Sequence, residues 1–373
     1  MTSPLPAGWL GPRLSTELRL LIDCTIVNFA EAMAPDAIPA DSDINWHDFV
    51  DLARRHRVEG LAWHGLRRLE IGTPAAAMSD LASAARGIAE NGLRAALLSS
   101  RLRDSFAESG VPLLFLKGLV VGALAYGDPF RKNAWDVDVY VPLAWLGRAA
   151  RLLRDMGFRP IYPSGDDDTI RQWHRLSKES LWLSADGRLH IELHTALTDH
   201  ASLLQGLVIP DEPEFVVIAP GNALPTLPRK VQFAYLCVHG ASSAWFRLKW
   251  IADLVGMVGN ASEGELRDLL ETARLVGAGR TGVQALLLAS WLYPIWDPDG
   301  PLAKELRANR LANWLAKRSL RLLLGPEPTA RLLGTLAIHL TQMVLTDRLS
   351  DGVKEFGRQL KLVRDRRGFL LQG

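Results

Sequence analysis

Cysteine is almost absent from this chain: Cys24 and Cys237 are the only two in 373 residues. Two thiols cannot build a disulfide framework, and neither lies in a metal-ligand spacing. A reduced, cytoplasmic location is the expectation. Long apolar runs are missing too. The longest, 111–126 and 332–345, are broken by Lys117 and by His339 and Thr341, and neither reaches the ~20 residues a membrane span needs. Met1 to Gly11 holds prolines and no basic start, so no secretory leader is expected. Excess charge is lacking as well. A net charge of +2 gives no general case for nucleic acid. There is no internal repeat and no low-complexity tract. What remains is an ordinary globular composition, 48% hydrophobic and 23% charged, long enough for two or three units with cores of their own.

Against that plain background, one run stands out: Ala134-Trp135-Asp136-Val137-Asp138-Val139-Tyr140-Val141. Apolar residues alternate at 135, 137, 139 and 141, the period of a strand with one buried face. Asp136 and Asp138 then share the other face. Two carboxylates side by side are unfavourable unless something positive lies between them. A divalent cation is the obvious candidate, and hard oxygen ligands suit Mg²⁺. A bare Asp-x-Asp is most often a solvated strand edge, so its surroundings decide. Val111 to Gly118 is an apolar run closed by Lys117-Gly118. Leu119 to Tyr126 reads as a helix of small residues, and Gly127 to Asn133 as a loop carrying Arg131 and Lys132. The order places a glycine turn, a helix N-terminus and two cations beside the Asp strand. Helix N-termini and basic side chains both favour phosphate.

A third carboxylate follows from the same period. Leu181 to Ser184, then Ala185-Asp186-Gly187, then Arg188 to His194 reads as a hairpin with an Asp-Gly turn. Leu189, Ile191 and Leu193 face one way. His190, Glu192 and His194 face the other, which makes Glu192 the natural partner of the Asp pair.

Leu116-Lys117-Gly118, Tyr126-Gly127-Asp128-Pro129, Arg131 and Asp136 to Val141 together resemble the bacterial polymerase-β-type family described as uncharacterised nucleotidyltransferases. The match is dense over 112–142 and looser through His190 to His194 and His239 to Asp253. The resemblance implies an α+β fold, with a small mixed sheet between helical regions. It implies transfer of a nucleoside monophosphate from an NTP, with ATP expected, to a hydroxyl, with Mg²⁺ or Mn²⁺ as cofactor. Asp136, Asp138 and Glu192 would hold the metal, and Glu192 would otherwise take the hydroxyl proton. Lys117, Gly118, Arg131, Lys132, His239 and Lys249 would bind the nucleotide. The chain departs from the wider superfamily in one respect. Gly118 is followed by Leu119 rather than Ser or Gly, and its gap to Asp136 is long. A non-catalytic nucleotide-binding or interaction protein on the same fold is the alternative.

The remainder reads as helical. Residues 1–110 form an N-terminal region with helical spacing over Leu14–Met33, His47–Leu69 and Ala75–Ser109. Residues 111–200 form the nucleotidyltransferase-like core, and residues 201–373 a C-terminal helical domain. A helix is expected over 143–157. Asp166-Asp167-Asp168 reads as a solvated loop. Lys249 precedes Asp253 by one helical turn, which also suits a surface ion pair. From Ala303 onward, 14 Lys or Arg stand against 6 Asp or Glu. This basic end is a candidate surface for RNA or an acidic partner, although a solvated terminal helix is the commoner outcome.

Overall fold

A computed structural model of the chain describes residues 6, 9–26, 43–200, 202–204, 213–293, 296–297, 299–328, 338, 341–346, 351–353 and 355–359. Among these residues seven strands make one mixed sheet: β1 (Leu114–Phe115), β2 (Asp136–Tyr140), β3 (Phe158–Tyr162), β4 (Glu179–Ser184), β5 (His190–His194), β6 (Glu214–Ala219) and β7 (Asn222–Thr226). Their order across the sheet is β3-β4-β5-β2-β1-β7-β6. β2 runs parallel to β5, and β1 parallel to β7; the other pairings are antiparallel. The α+β architecture expected from the sequence is the one observed. The sheet reaches beyond residue 200, because β6 and β7 extend it on the β1 side.

The alternation in β2 does what the period requires. Val137, Val139 and Val141 enter an apolar cluster with Ile191 and Leu193 of β5. The helix Leu146–Asp155 covers it with Leu146, Ala149, Ala150 and Leu153, and the end of the helix Ala75–Glu108 adds Leu98, Leu102 and Phe106. Trp135 breaks the pattern: it precedes the strand and is 64% exposed. The opposite face of the sheet packs on a larger cluster from the N-terminal and C-terminal helices. Two helices belong to both clusters. Ala77 and Leu81 of Ala75–Glu108 lie in the larger one and its later turns in the smaller. Leu119–Tyr126 gives Leu119 and Val120 to one, and Val121 and Ala125 to the other.

Two glycines set the local geometry. Gly118 has φ +58°, a conformation that costs L side chains energy, and it turns the chain from β1 into Leu119–Tyr126. Gly256 lets Leu248–Val258 approach that helix, since a Cβ there would lie 2.7 Å from Ala125.

The expected helix over His47–Leu69 is two helices, Trp46–His56 and Glu59–Arg68, separated where Arg57 adopts φ 56°. Leu14–Met33 is described as Thr16–Ile26, and residues 27–33 lie outside the described residues. The three aspartates at 166–168 are not a loose loop. Asp166 caps Asp167–Trp173 by accepting from Thr169 N–H, Asp167 pairs with Arg154, and Asp168 with Arg171. Of the basic end, Lys361, Arg364, Arg366 and Arg367 lie outside the described residues.

Buried histidines set the acid limit of this fold. Burial, and then Arg55 and Arg247, push His56 down to about 3, and burial pushes His174 to about 4. His56 stays neutral and accepts from Leu248 N–H at 3.1 Å. The unfolded chain therefore binds protons below the usual histidine value of 6.5 that the folded chain refuses. Stability is lost as pH falls from about 6.5 toward 4, by about 1.4 kcal/mol per pH unit for each such histidine. Glu192, raised to about 7, works the other way over 4.5–7 but is outnumbered. Thermal melts across pH 7 to 4.5 should show a falling Tm. His56→Asn, which keeps an acceptor for Leu248, should flatten the slope; an unchanged slope would refute the assignment.

Candidate functional site

The centre forms where β2 and β5 run side by side. Their parallel register sets Asp136 opposite His190, Asp138 opposite Glu192 and Tyr140 opposite His194. Asp138 and Glu192 thus share one face of the sheet as direct neighbours. With His194 they form a compact group in which one ligand atom from each lies within 4.8 Å of the others. Asp136 lies outside this group. It is half-buried at the start of β2, and it lines a narrow cavity with Lys117, Gly118 and Asp138.

Lys117 supplies the positive charge that two carboxylates demand. Gly118 ends the apolar run so that Lys117 Nζ lies 2.5 Å from Asp138 Oδ1 and 3.8 Å from Glu192 Oε2. His194 Nε2 donates to the same Asp138 oxygen at 3.2 Å and lies 3.5 Å from Glu192. On its other side, His194 Nδ1 lies 3.3 Å from Glu179 Oε2, without hydrogen-bond geometry. Glu179 in turn pairs with Lys178. The contacts therefore run in the order Lys178, Glu179, His194, Asp138, Lys117.

Burial separates the two carboxyls. It would raise Asp138, but Lys117 and then His194 outweigh it and hold Asp138 well below the usual carboxylate range. Burial raises Glu192 too. His194 opposes this, Asp138 adds to it, and Glu192 settles near 7. Protonated Glu192 hydrogen-bonds to Asp138. For Lys117, burial is overcome by Asp138, which keeps it charged well above its ordinary value. Two neighbouring acids with separated affinities for a proton are the usual arrangement for assigning one as charge holder and one as base.

A second cationic group flanks Asp136. Lys132 pairs with buried Asp253, which also accepts from Tyr126 O–H at 2.9 Å. The sequence allowed a surface pair between Lys249 and Asp253; Asp253 is instead buried and bonded to Lys132. Lys249 stacks over Trp250, 5.4 Å from the ring centre. Burial, and then repulsion from Lys132, lowers Lys249 to about 8. Asp136 and Arg57 are in electrostatic reach of Lys249 and of each other. Arg131 lies 3.3 Å from Asp128 and lines an open cavity with His64, Arg67 and Arg68. His239 is half-buried between Tyr235 and Trp250, and desolvation and then Lys117 hold it well below the usual histidine range.

Sequence reasoning saw His194 on the polar face of its strand but gave it no role. The His-x-Glu-x-His alternation was the available signal. Glu179 and Arg57 carried no local signal, since each reaches the site only through pairing across the fold.

The donor set suits a divalent cation. Two carboxylates and one imidazole offer hard oxygen and borderline nitrogen at one point. Lys117 already compensates part of the charge that a cation would, so the two would compete for Asp138. Among the described residues no helix is long and apolar enough to cross a membrane. A family model described as "Uncharacterised nucleotidyltransferase" matches residues 42–294. No curated protein matches the chain.

Lys117→Met separates charge compensation from cation binding. Leaving Asp138 buried and unpaired should cost about 3–5 kcal/mol in metal-free denaturation. The same variant should bind Mn²⁺ more tightly than wild type without nucleotide, by electron paramagnetic resonance titration, and recover stability with it. Unchanged Mn²⁺ affinity would mean that these carboxylates do not hold the cation.

Proposed function

Because the chain belongs to the uncharacterised nucleotidyltransferase family, we propose that it moves a nucleoside monophosphate from an NTP, ATP by expectation, to an acceptor hydroxyl. The observation that carries this reading is the apposition of Asp138 and Glu192 on parallel strands, one ionised and one near 7. In the reaction the acceptor oxygen attacks the α-phosphorus, a new P–O bond forms, and the bond to pyrophosphate breaks. Glu192, holding a proton only weakly at neutral pH, takes the hydroxyl proton. His194 orients both carboxyls through its bond to Asp138 and its contact with Glu192. Lys132, Lys249 and Arg57 make an electropositive flank beside Asp136 for the departing phosphates, and Lys249 has no carboxylate within ion-pair distance among the described residues.

Asp138, Glu192 and His194 would hold Mg²⁺ or Mn²⁺, with Asp136 as the further carboxylate at the rim. Bound there, a divalent cation supplies Lewis-acid stabilisation of charge on the phosphoryl oxygens. Gly118 and the start of Leu119–Tyr126 border the same narrow cavity, which suits them to approach a phosphate through backbone N–H groups.

The resident Lys117 also favours the non-catalytic alternative, since it satisfies Asp138 without any cation. One experiment separates the two. The full chain is incubated with each α-³²P-labelled NTP and Mg²⁺ or Mn²⁺ in an extract, and label is followed into products. Transfer with release of pyrophosphate is expected. Glu192→Gln should lower transfer by about 10²–10⁴-fold while binding of a non-hydrolysable NTP stays within a few-fold. Nucleotide binding with no transfer under any metal would establish the binder and sink the enzyme.

A further inference from the structure

A second cavity opens beyond the C-terminal end of β5, which carries Glu192 and His194. Its walls are the segment after that strand, the end of the helix Arg229–Ser242 and helical residues near 355–359. Its volume of about 90 Å³ holds roughly six waters. Ligands of parallel α/β strands bind at their carboxyl ends, so the position invites a substrate.

The hydrogen-bond inventory of this cavity does not close. His200 is 5% exposed, and its Nδ1 accepts from Ser202 N–H at 3.2 Å. A neutral ring then carries its proton on Nε2, and that atom is buried with no acceptor. Arg358 gives Nε and Nη2 to Glu355 at 2.8 and 2.6 Å, but its Nη1 is likewise buried and unmatched. Each orphaned donor carries a desolvation cost, and a bound molecule with acceptor oxygens would remove it.

The charges, by contrast, are settled. Arg358 is held by Glu355, and Lys178 by Glu179. Asp199 accepts from Lys178 N–H at 2.8 Å. A phosphate would meet Asp199 and Glu355, and an ammonium would meet Lys178 and Arg358. Leu197 and Val238 add apolar surface between the polar groups. Unmatched donors, balanced charge and apolar patches together suit a ring with hydroxyls on its rim and C–H on its faces.

A chain of side-chain contacts leads from the cavity wall toward the centre. Lys178 pairs with Glu179, which contacts His194, which bonds Asp138. His239 lines the cavity and faces Tyr235 at 6.1 Å between rings, and the Tyr235 hydroxyl is buried without a partner. Tyr235 in turn lies in electrostatic reach of Lys117, Asp138 and Glu192. Unmatched polar atoms thus extend from the cavity toward the reacting carboxyls.

From these observations we infer that this cavity is the acceptor subsite, and that the acceptor is a neutral polyhydroxylated ring, a monosaccharide or cyclitol. This assignment rests on the nucleotidyl-transfer reading. It would present one hydroxyl toward Glu192 while its other oxygens accept from His200 and Arg358.

The test uses the full chain and saturation-transfer NMR without nucleotide. Probes are D-glucose and myo-inositol, with inorganic phosphate and glutamate as charged comparators. A neutral probe should receive saturation and the charged ones should not. Ser242→Leu, which fills the cavity, should weaken binding at least tenfold with an unchanged melting curve. His200→Leu should do likewise, and His200→Gln, which keeps an N–H donor, should restore binding to within a few-fold. In parallel, each neutral probe is offered as acceptor with α-labelled ATP and Mn²⁺. Silence from both neutral probes, or preferential phosphate binding, overturns the assignment; label transfer to another acceptor in extract would then leave the nucleotidyltransferase reading standing. Binding that Ser242→Leu does not weaken places the sugar elsewhere and overturns it too. Binding at the cavity with no label transfer to any acceptor removes the acceptor role along with the enzyme.

Discussion

The ion pair between Lys117 and Asp138 is the interaction on which the rest of this centre depends. A buried carboxylate stays ionised only with a compensating charge, and Lys117 is 2.5 Å away. With Asp138 fixed as the anion, the proton in the pair belongs to Glu192. With Asp138 as acceptor, His194 has a direction to donate and Glu179 a ring to lean against. Removing that one ammonium would leave two buried acids, an imidazole and a glutamate without an assigned state.

The sheet makes this arrangement stiff. Asp138 and Glu192 stand 54 positions apart in the chain, and their approach depends on β2 and β5 pairing in parallel and in register. A slip of one residue would turn Glu192 into the apolar cluster and Ile191 onto the charged face. Val137, Val139, Ile191 and Leu193 prevent that slip, because each is buried on the other side. Apolar packing on one face is thus what holds the acids together on the other.

How far the sequence could be read follows from which interactions are local. The alternation in 134–141 and 188–194 is local, and it identified Asp138, Glu192 and the Asp-Gly hairpin. Lys117 was legible as a cation near the site, but its partner was not. Two adjacent aspartates on one face suggested repulsion awaiting a metal, whereas the fold answers much of that repulsion with a lysine from another strand end. β3, β6 and β7 were not foreseen, and two of them contain a proline, Pro160 and Pro225. Proline argues against a central strand. The fold accommodates Pro160 on the outer strand, beside an irregular register, and Pro225 where β7 pairs only with β6. Asp166 was misread as loop because its capping role exists only once Thr169 is helical.

The bond from Lys132 to Asp253 has a consequence for where this protein could be divided. Lys132 belongs to the loop that leads into β2, and Asp253 to a helix more than a hundred residues later. Tyr126 grips the same carboxylate from the helix before that loop. A fragment ending with the last strand would therefore lose the buried anion that both groups address, and the loop would be released at the edge of the carboxylate pair. The helix Leu248–Val258 thus ties that loop down from outside the sheet, and a fragment meant to keep the loop in place has to include it.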